Sequence, residues 1–265
     1  MNMLYDTHCH IDFQAFDEDR EQVLEAAAEA GVERFLVPGV SAEQWPRLQQ
    51  LVNQFSSWRF ALGLHPWFIQ QHNLNHLQEL EQALDTPHER LRAVGEVGLD
   101  ATCDNSELQR ELFIEQLKLA TSYRLPVIIH HRKTLETTHP LVKQYGPEQG
   151  VIHAFSGSYE QAMKFVDCGY KLGVGGVITY TRAQKTRQAI AKVPLSALVL
   201  ETDSPDMPIC GHQGERNEPA RIAKVLGVLA ELREVDKDSL SEALWKNSCE
   251  LFNDAQPASN DHVSG

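Results

Sequence analysis

The stretch MLYDTHCHIDF, from Met3 to Phe13, sets His8 and His10 one residue apart, with Asp6 two places ahead of them. Side chains on an extended strand alternate with a period of two, so Asp6, His8 and His10 share one face and Thr7 and Cys9 the other. A divalent cation suits that arrangement, and so does a polar turn. Further polar residues close short apolar runs later in the chain: His65 in FALGLHP, Glu96 in RAVGEVG, His130 in PVIIHH, His153 in GVIHAFSG and Asp203 in LVLETDSP. Parity pairs Val94 with Glu96, Ile128 with His130, Val151 with His153, and Val199 with Glu201 and Asp203.

Singly, each of these residues reads as an ordinary hydrogen-bonded side chain at a strand end. Jointly they do not, because buried charges are costly unless paired or metal-bound. His8, His10, Glu96, His130, His153 and Asp203 form an imidazole–carboxylate set without thiolate, which suits zinc, manganese, iron or cobalt, and magnesium less naturally. Six ligands exceed what one tetrahedral zinc with an open position takes. They fit two ions about 3.5–4 Å apart, bridged by a carboxylate and a hydroxide. Such a centre activates water and neutralises charge on a phosphoryl or acyl oxygen, so hydrolysis is the expected reaction class.

The elements that must carry these residues are eight short runs beginning with MLYD and ending with LVLETDSP, interleaved with amphipathic patterns. Helices are predicted over Asp17–Ala30, Ala42–Phe55, Leu74–Leu84, Ser106–Tyr123, Tyr159–Cys168, Ala183–Lys192, Pro219–Arg233 and Lys237–Phe252. This alternation predicts an α/β chain folded as a single-domain (β/α)8 TIM barrel over residues 1–253, with chemistry at the C-terminal ends of its strands. A doubly wound sheet is disfavoured, since no G-x-G-x-x-G follows the first run. Residues 254–265 have the composition of a disordered tail.

With 265 residues, 42% of them hydrophobic, the chain can bury a full core. Its five cysteines are widely spaced and its start lacks a signal-peptide pattern, so the expectation is a cytoplasmic protein with reduced thiols, no membrane association and no obligate protein partner. A net charge of −13 argues against a general basic surface for nucleic acid. It leaves open an enzyme that meets phosphates at bound cations.

The motifs DTHCH, GLHP, GEVGLD, PVIIH, HAFSGS and ETDSP, in this order, resemble the TatD family of metal-dependent deoxyribonucleases, and ERNEPARI is similar to a segment after that family's last strand. The resemblance implies two divalent ions, one held by His8, His10 and Asp203, the other by His130 and His153, with Glu96 bridging. It implies phosphodiester hydrolysis, often at DNA 3′ ends, so the expected partner is single-stranded or 3′-end DNA and the expected activity a 3′–5′ exonuclease working through a metal-bridged hydroxide. His65 falls near substrate phosphate in this pattern. Three loops depart from it: Ala101 replaces an aromatic residue, HHRKT brings His131 and Lys133, and DMPICGHQGER replaces a proline-rich basic segment.

Asp203 is therefore expected to be a ligand and the general base, and His65 and Arg132 to contact phosphate. For Arg132 a surface charge at a helix start is an equal alternative. Glu201 is expected to support the ligands, Asp6 to do the same or to be a further metal contact, and His131 to serve the loop. Trp67 is expected to pack against a helix rather than stack on a base. His72, His76, His88, His139, His212 and His262 carry no expected role. The alternative function is hydrolysis of an ester, amide or lactone, including aminoacyl esters on RNA, at the same centre; a non-catalytic metal-binding protein ranks last.

Overall fold

The computed structural model describes residues 3–86 and 88–254. Eight parallel strands run β1 (Leu4–Asp6), β2 (Val32–Pro38), β3 (Trp58–Leu62), β4 (Leu91–Asp100), β5 (Val127–Arg132), β6 (Gly150–Ile152), β7 (Tyr170–Val174) and β8 (Leu198–Leu200), paired in chain order. The two edges meet where the Thr7 amide and hydroxyl both donate to the Leu200 carbonyl, at 3.0 and 2.7 Å. The result is the nearly closed barrel expected from the alternation of runs. Its outer layer is α1 (Arg20–Glu29), α2 (Trp45–Gln54), α3 (Asn75–Asp85), α4 (Ser106–Tyr123), α5 (Leu135–Tyr145), α6 (Tyr159–Val166), α7 (Gln184–Lys192) and α8 (Ile222–Arg233).

Helix starts follow local chemistry. Ser158 and Gln161 form a reciprocal capping box at α6, and the Asp236 carboxylate accepts from the Ser239 amide at the start of α9 (Lys237–Leu251). Helix α5 is not among the helices expected from sequence. It carries Pro140 in its interior, which removes one backbone donor, yet Thr138, Leu141 and Val142 still bury against the barrel.

The barrel interior is a layer of Tyr5, Leu36, Ala61, Ala93, Ile128, Val151 and Val199, closed by Trp245, Cys249, Leu251 and Phe252 from α9 and its end. This plug lies at the N-terminal ends of the strands. There Asp254 pairs with Arg34 at 2.5 Å, Arg59 at 2.9 Å and Arg92 at 3.7 Å. Asp254, assigned to the tail from composition, is thus buried in the fold; the remainder of that segment, with His262, lies outside the described residues.

The parity expectation holds for Ile128, Val151 and Val199, and fails in β4. Ala93 faces the interior while Val94 joins the outer core beneath the helices. Pairing between β4 and β5 is irregular between Val94 and Val97, and this bulge reverses the alternation so that Glu96 still points inward. Gly95, at φ +158°, tolerates the bend: a Cβ there would lie 2.6 Å from the Ile128 Cβ.

Candidate metal centre

The plug leaves the opposite end of the barrel open, and the six expected ligands gather there. The Nε2 atoms of His8 and His10 stand 3.3 Å apart, and Glu96 Oε2 lies 3.0 Å from the first and 3.4 Å from the second. Glu96 Oε1 faces the other side, 3.0 Å from His65 Nε2, 3.1 Å from His130 Nδ1 and 3.9 Å from His153 Nε2. Asp203 Oδ1 sits 3.6, 3.8 and 3.6 Å from Nε2 of His8, His10 and His153. The His153 ring stacks on His8 at 3.5 Å between centroids, so it stands closer to the first group than its expected pairing with His130 implies.

These groups fit divalent cations. Ring nitrogens and carboxylate oxygens face one another with more lone pairs than protons to share. Two nitrogens bound tetrahedrally at ~2.0–2.1 Å lie roughly 3.3 Å apart, which is the His8–His10 spacing. Among the described residues, three donor sets fall within 4.8 Å: His8, His10 and Asp203; His65, Glu96 and His130; and His8, His153 and Glu201.

Hydrogen bonds at the rear fix which nitrogens face inward. His65 Nδ1 accepts from the Trp67 amide at 2.9 Å, so its proton is on Nε2 and points at Glu96. A neutral His65 is therefore a donor toward the centre rather than a ligand. His72 buttresses it through Nε2, 3.0 Å from the His65 carbonyl. His130 turns Nε2 to Asp100 Oδ2 at 3.2 Å, which leaves Nδ1 for the centre. His153 Nδ1 lies 3.1 Å from Glu201 Oε1, which also accepts from the Ala154 amide at 2.6 Å. Glu201 thus holds the position expected of it. Asp6 turns away from the centre and accepts from the Thr202 amide and hydroxyl at 2.9 and 2.6 Å, so it supports the ligand segment instead of joining it.

Asp100 and His72 stand directly behind the cluster, and neither has an expected role from the sequence. Asp100 is the last residue of β4, four beyond Glu96, and that even spacing on one long strand was the available signal. Carboxylates behind metal-binding imidazoles set tautomer and basicity. Asp100→Asn is expected to weaken metal affinity about 10–100-fold with the fold intact, read by calorimetric titration of the metal-free protein.

Electrostatics follow from burial. Burial raises the Asp203 carboxyl to about 7, against the pull of His153 and His10. Burial lowers His8 and His65 to about 4. Burial would lower His10 as well, but hydrogen bonding and charge from Glu96, with Asp203, lift it to about 9; His130 reaches about 9 through Asp100 and Glu96. Burial would raise Glu96, yet the surrounding imidazoles, His65 foremost, then His8 and His153, hold it well below the usual carboxylate range. At pH 7 the metal-free centre therefore carries protons on His10 and His130 that a cation must displace. Metal binding is expected to release protons and to weaken on acidification from pH 9, measurable by titration in buffers of different ionisation enthalpy.

Above the centre opens a cleft of about 1020 Å³ lined by His65, Trp67, Phe68, His131, Arg132, Lys133 and Lys185, among others. Trp67 is 56% exposed and lies under the Arg132 guanidinium at 5.6 Å; the expected packing against a helix does not occur, because the turn after His65 lifts it to the rim. His131, placed outside the centre by parity, lines this cleft too. Lys133, Ala154, Asp203 and Met207 are non-glycine residues at φ +59°, +46°, +60° and +50°, and all four line it. Backbone held in this region is characteristic of functional sites. The ERNEPARI segment braces the mouth: Arg216 pairs with Asp19 at 2.6 Å, and Asn217 Nδ2 donates to the carbonyls of Thr202 and Met207 at 2.9 and 3.3 Å.

A (β/α)8 barrel with imidazoles and carboxylates converging at its C-terminal mouth belongs to the class of barrels with a candidate metal centre. Residues 5–253 match the family model described as TatD related DNase, and the chain belongs to the TatD family. It is similar to the "uncharacterized metal-dependent hydrolase YjjV" of Escherichia coli K12, at 47% identity over 94% of this chain and 97% of that one. The crystal structure of that TatD homologue superposes with a TM-score of 0.91, covering 94% of this chain and 98% of that one. An "uncharacterized metal-dependent hydrolase" of Haemophilus influenzae is 44% identical over 94% of this chain and 98% of its own. Among the described residues no helix is long and apolar enough to cross a membrane.

Proposed function

We propose that the protein is a divalent-metal-dependent phosphodiesterase acting on single-stranded DNA from the 3′ end. The observation that carries this reading is the cleft directly above the imidazole–carboxylate cluster. In a chain of net charge −13, its lining includes Arg132, Lys133 and Lys185 beside Glu136 and Asp206, and Glu136 is itself paired with Lys164 at 2.7 Å. These cations stand over a floor whose carboxylates would face bound metal, and together they attract an anionic substrate. The family description as a DNase and the metal-dependent hydrolases among the relatives point the same way, and the 3′ polarity follows the family resemblance.

His8, His10 and Asp203 would hold one ion, His130 and His153 a second, with Glu96 between them, as the two-sided placement of its oxygens favours. Bound there, such ions supply Lewis acidity toward a phosphoryl oxygen and water of lowered pKa. The protein's own groups do the rest. Arg132, set over Trp67, binds the phosphate, and His65, whose Nε2 proton rests on Glu96 Oε1 at 3.0 Å, turns that proton to a phosphoryl oxygen once the Glu96 oxygen is otherwise engaged. Asp203, whose side chain is 15% exposed at the cleft floor, takes a proton from the attacking water as the phosphoester bond breaks, and solvent protonates the departing ester oxygen. Asp100 and Glu201 keep the imidazoles of His130, on β5, and of His153, just past the end of β6, oriented.

The test is hydrolysis of bis(p-nitrophenyl) phosphate and of p-nitrophenyl acetate by protein loaded with magnesium, manganese or zinc. Turnover of the diester well above that of the acetate is expected; the reverse order would favour the carboxylic ester reading. Arg132→Ala is expected to raise KM for an oligonucleotide about tenfold, with a smaller change in kcat, because its contact is made in ground and transition states alike.

A further inference from the structure

Two sequence features of which the proposed reaction uses only Lys185, TYTRAQKTR and DMPICGHQGER, meet beside the active cleft. The Tyr180 hydroxyl donates to the Pro208 carbonyl at 2.7 Å, and the Cys210 amide donates to Thr179 Oγ1 at 2.8 Å. Between the loops lies a second hollow of about 260 Å³, lined by Val177, Tyr180, Arg182, Ala183, Met207 and Pro208. Val177 and Met207 line the main cleft as well, so the hollow is its lateral continuation. The Arg182 guanidinium lies 5.0 Å from the Tyr180 ring centroid. Met207 is fixed at φ +50° with its carbonyl held by Asn217, so the wall between the two spaces is anchored to the segment bearing Asp203.

The mouth therefore carries two guanidinium–aromatic pairs, Arg132 with Trp67 in the main cleft and Arg182 with Tyr180 in its continuation. An aromatic face for a base beside a cation for its phosphate is how proteins track single strands. The hollow has room for one nucleobase and is far too small for a duplex. Resting on the phosphodiesterase reading above, we propose that Tyr180 and Arg182, with Met207 and Pro208, form a subsite for the nucleotide next to the one being released. The base of that nucleotide stacks against the Tyr180 ring as the Arg182 guanidinium swings from the ring to pair with its phosphate. The substrate is then a strand of at least two nucleotides with an unpaired end, and these two loops set the preference for length.

The experiment compares wild type with Tyr180→Ala, Arg182→Ala and Tyr180→Phe, and with Arg110→Ala as an exposed arginine outside both spaces. Binding of fluorescein-labelled single-stranded DNA to metal-free protein is followed by anisotropy, and the metal-loaded proteins are assayed on bis(p-nitrophenyl) phosphate and on oligonucleotides. Tyr180→Ala and Arg182→Ala are expected to lose about 10- to 100-fold in oligonucleotide affinity and kcat/KM, with diester turnover unchanged. Arg182→Ala is also expected to flatten the dependence of log K on log salt by about 0.7. Tyr180→Phe, which keeps the ring, and Arg110→Ala are expected to behave as wild type. Oligonucleotide binding and cleavage equal to wild type in both alanine variants overturns the subsite and leaves the phosphodiesterase intact. A wild type inactive on diester and oligonucleotide alike, with all three metals, overturns the reading beneath it and the subsite with it.

Discussion

Asp203→Asn is expected to lower phosphodiester turnover about 10³-fold or more while leaving the barrel folded. Asparagine is among the few residues that accept the left-handed backbone seen at φ +60°, so the Asp203 amide can keep its 2.8 Å bond to the His8 carbonyl. What is lost is the charge beside His8, His10 and His153 and the ability to take a proton. General base catalysis alone contributes about 10²–10⁴-fold. The same substitution is expected to stabilise the metal-free protein. Burial raises Asp203 from 3.8 to about 7, so ionising it costs folding free energy above pH 3.8, most fully above pH 7. The neutral amide removes that cost. Metal-free Asp203→Asn should therefore unfold at higher temperature than wild type at pH 8 and at the same temperature near pH 3. An activity loss accompanied by lower stability at pH 8 would mean that the carboxylate serves the fold.

The second large effect is expected at Glu96, whose two oxygens serve both halves of the cluster. Glu96→Gln should reduce metal stoichiometry, from the proposed two ions to one or none, and remove most of the activity, since both metal-site geometry and charge neutralisation depend on it. Its stability signature is pH-dependent. His10 and His130, raised from 6.5 to about 9 largely by Glu96 and its neighbouring carboxylates, contribute stability that is complete below pH 6.5 and lost as pH rises through about 9. Glu96, held below 4.5, contributes above pH 4.5 and loses that contribution on acidification. Metal-free Glu96→Gln is thus expected to be less stable than wild type by about 3–5 kcal/mol at pH 5–6, as for a broken buried pair, with the gap closing above pH 9. Denaturant titration of both proteins across that range measures it.

Much of this centre was legible because barrel chemistry sits at strand ends and period-two parity selects the inward residue. His130 after Ile128 and His153 after Val151 follow that rule without correction. Glu96 was found by the right rule for the wrong neighbour: the bulge that puts Val94 outside and Ala93 inside arises from β4–β5 register, which local alternation does not encode. Asp100 stayed hidden because its role depends on where the His130 ring turns Nε2, a tertiary fact. Trp67 was misjudged for the opposite reason: large aromatics ordinarily bury, and only the turn after His65 and the Arg132 guanidinium keep this one at the rim. Helix α5 was obscured by Pro140, whose local penalty is outweighed by burial of its apolar face.

The first experiment is digestion of end-labelled single-stranded DNA by metal-loaded protein, beside the chelated protein and Asp203→Asn. Mononucleotides released progressively from the 3′ end by wild type alone are the expected result. DNA left intact by wild type with magnesium, manganese and zinc, or degraded equally by the chelated protein and the variant, would contradict the assignment of phosphodiester hydrolysis to this cluster.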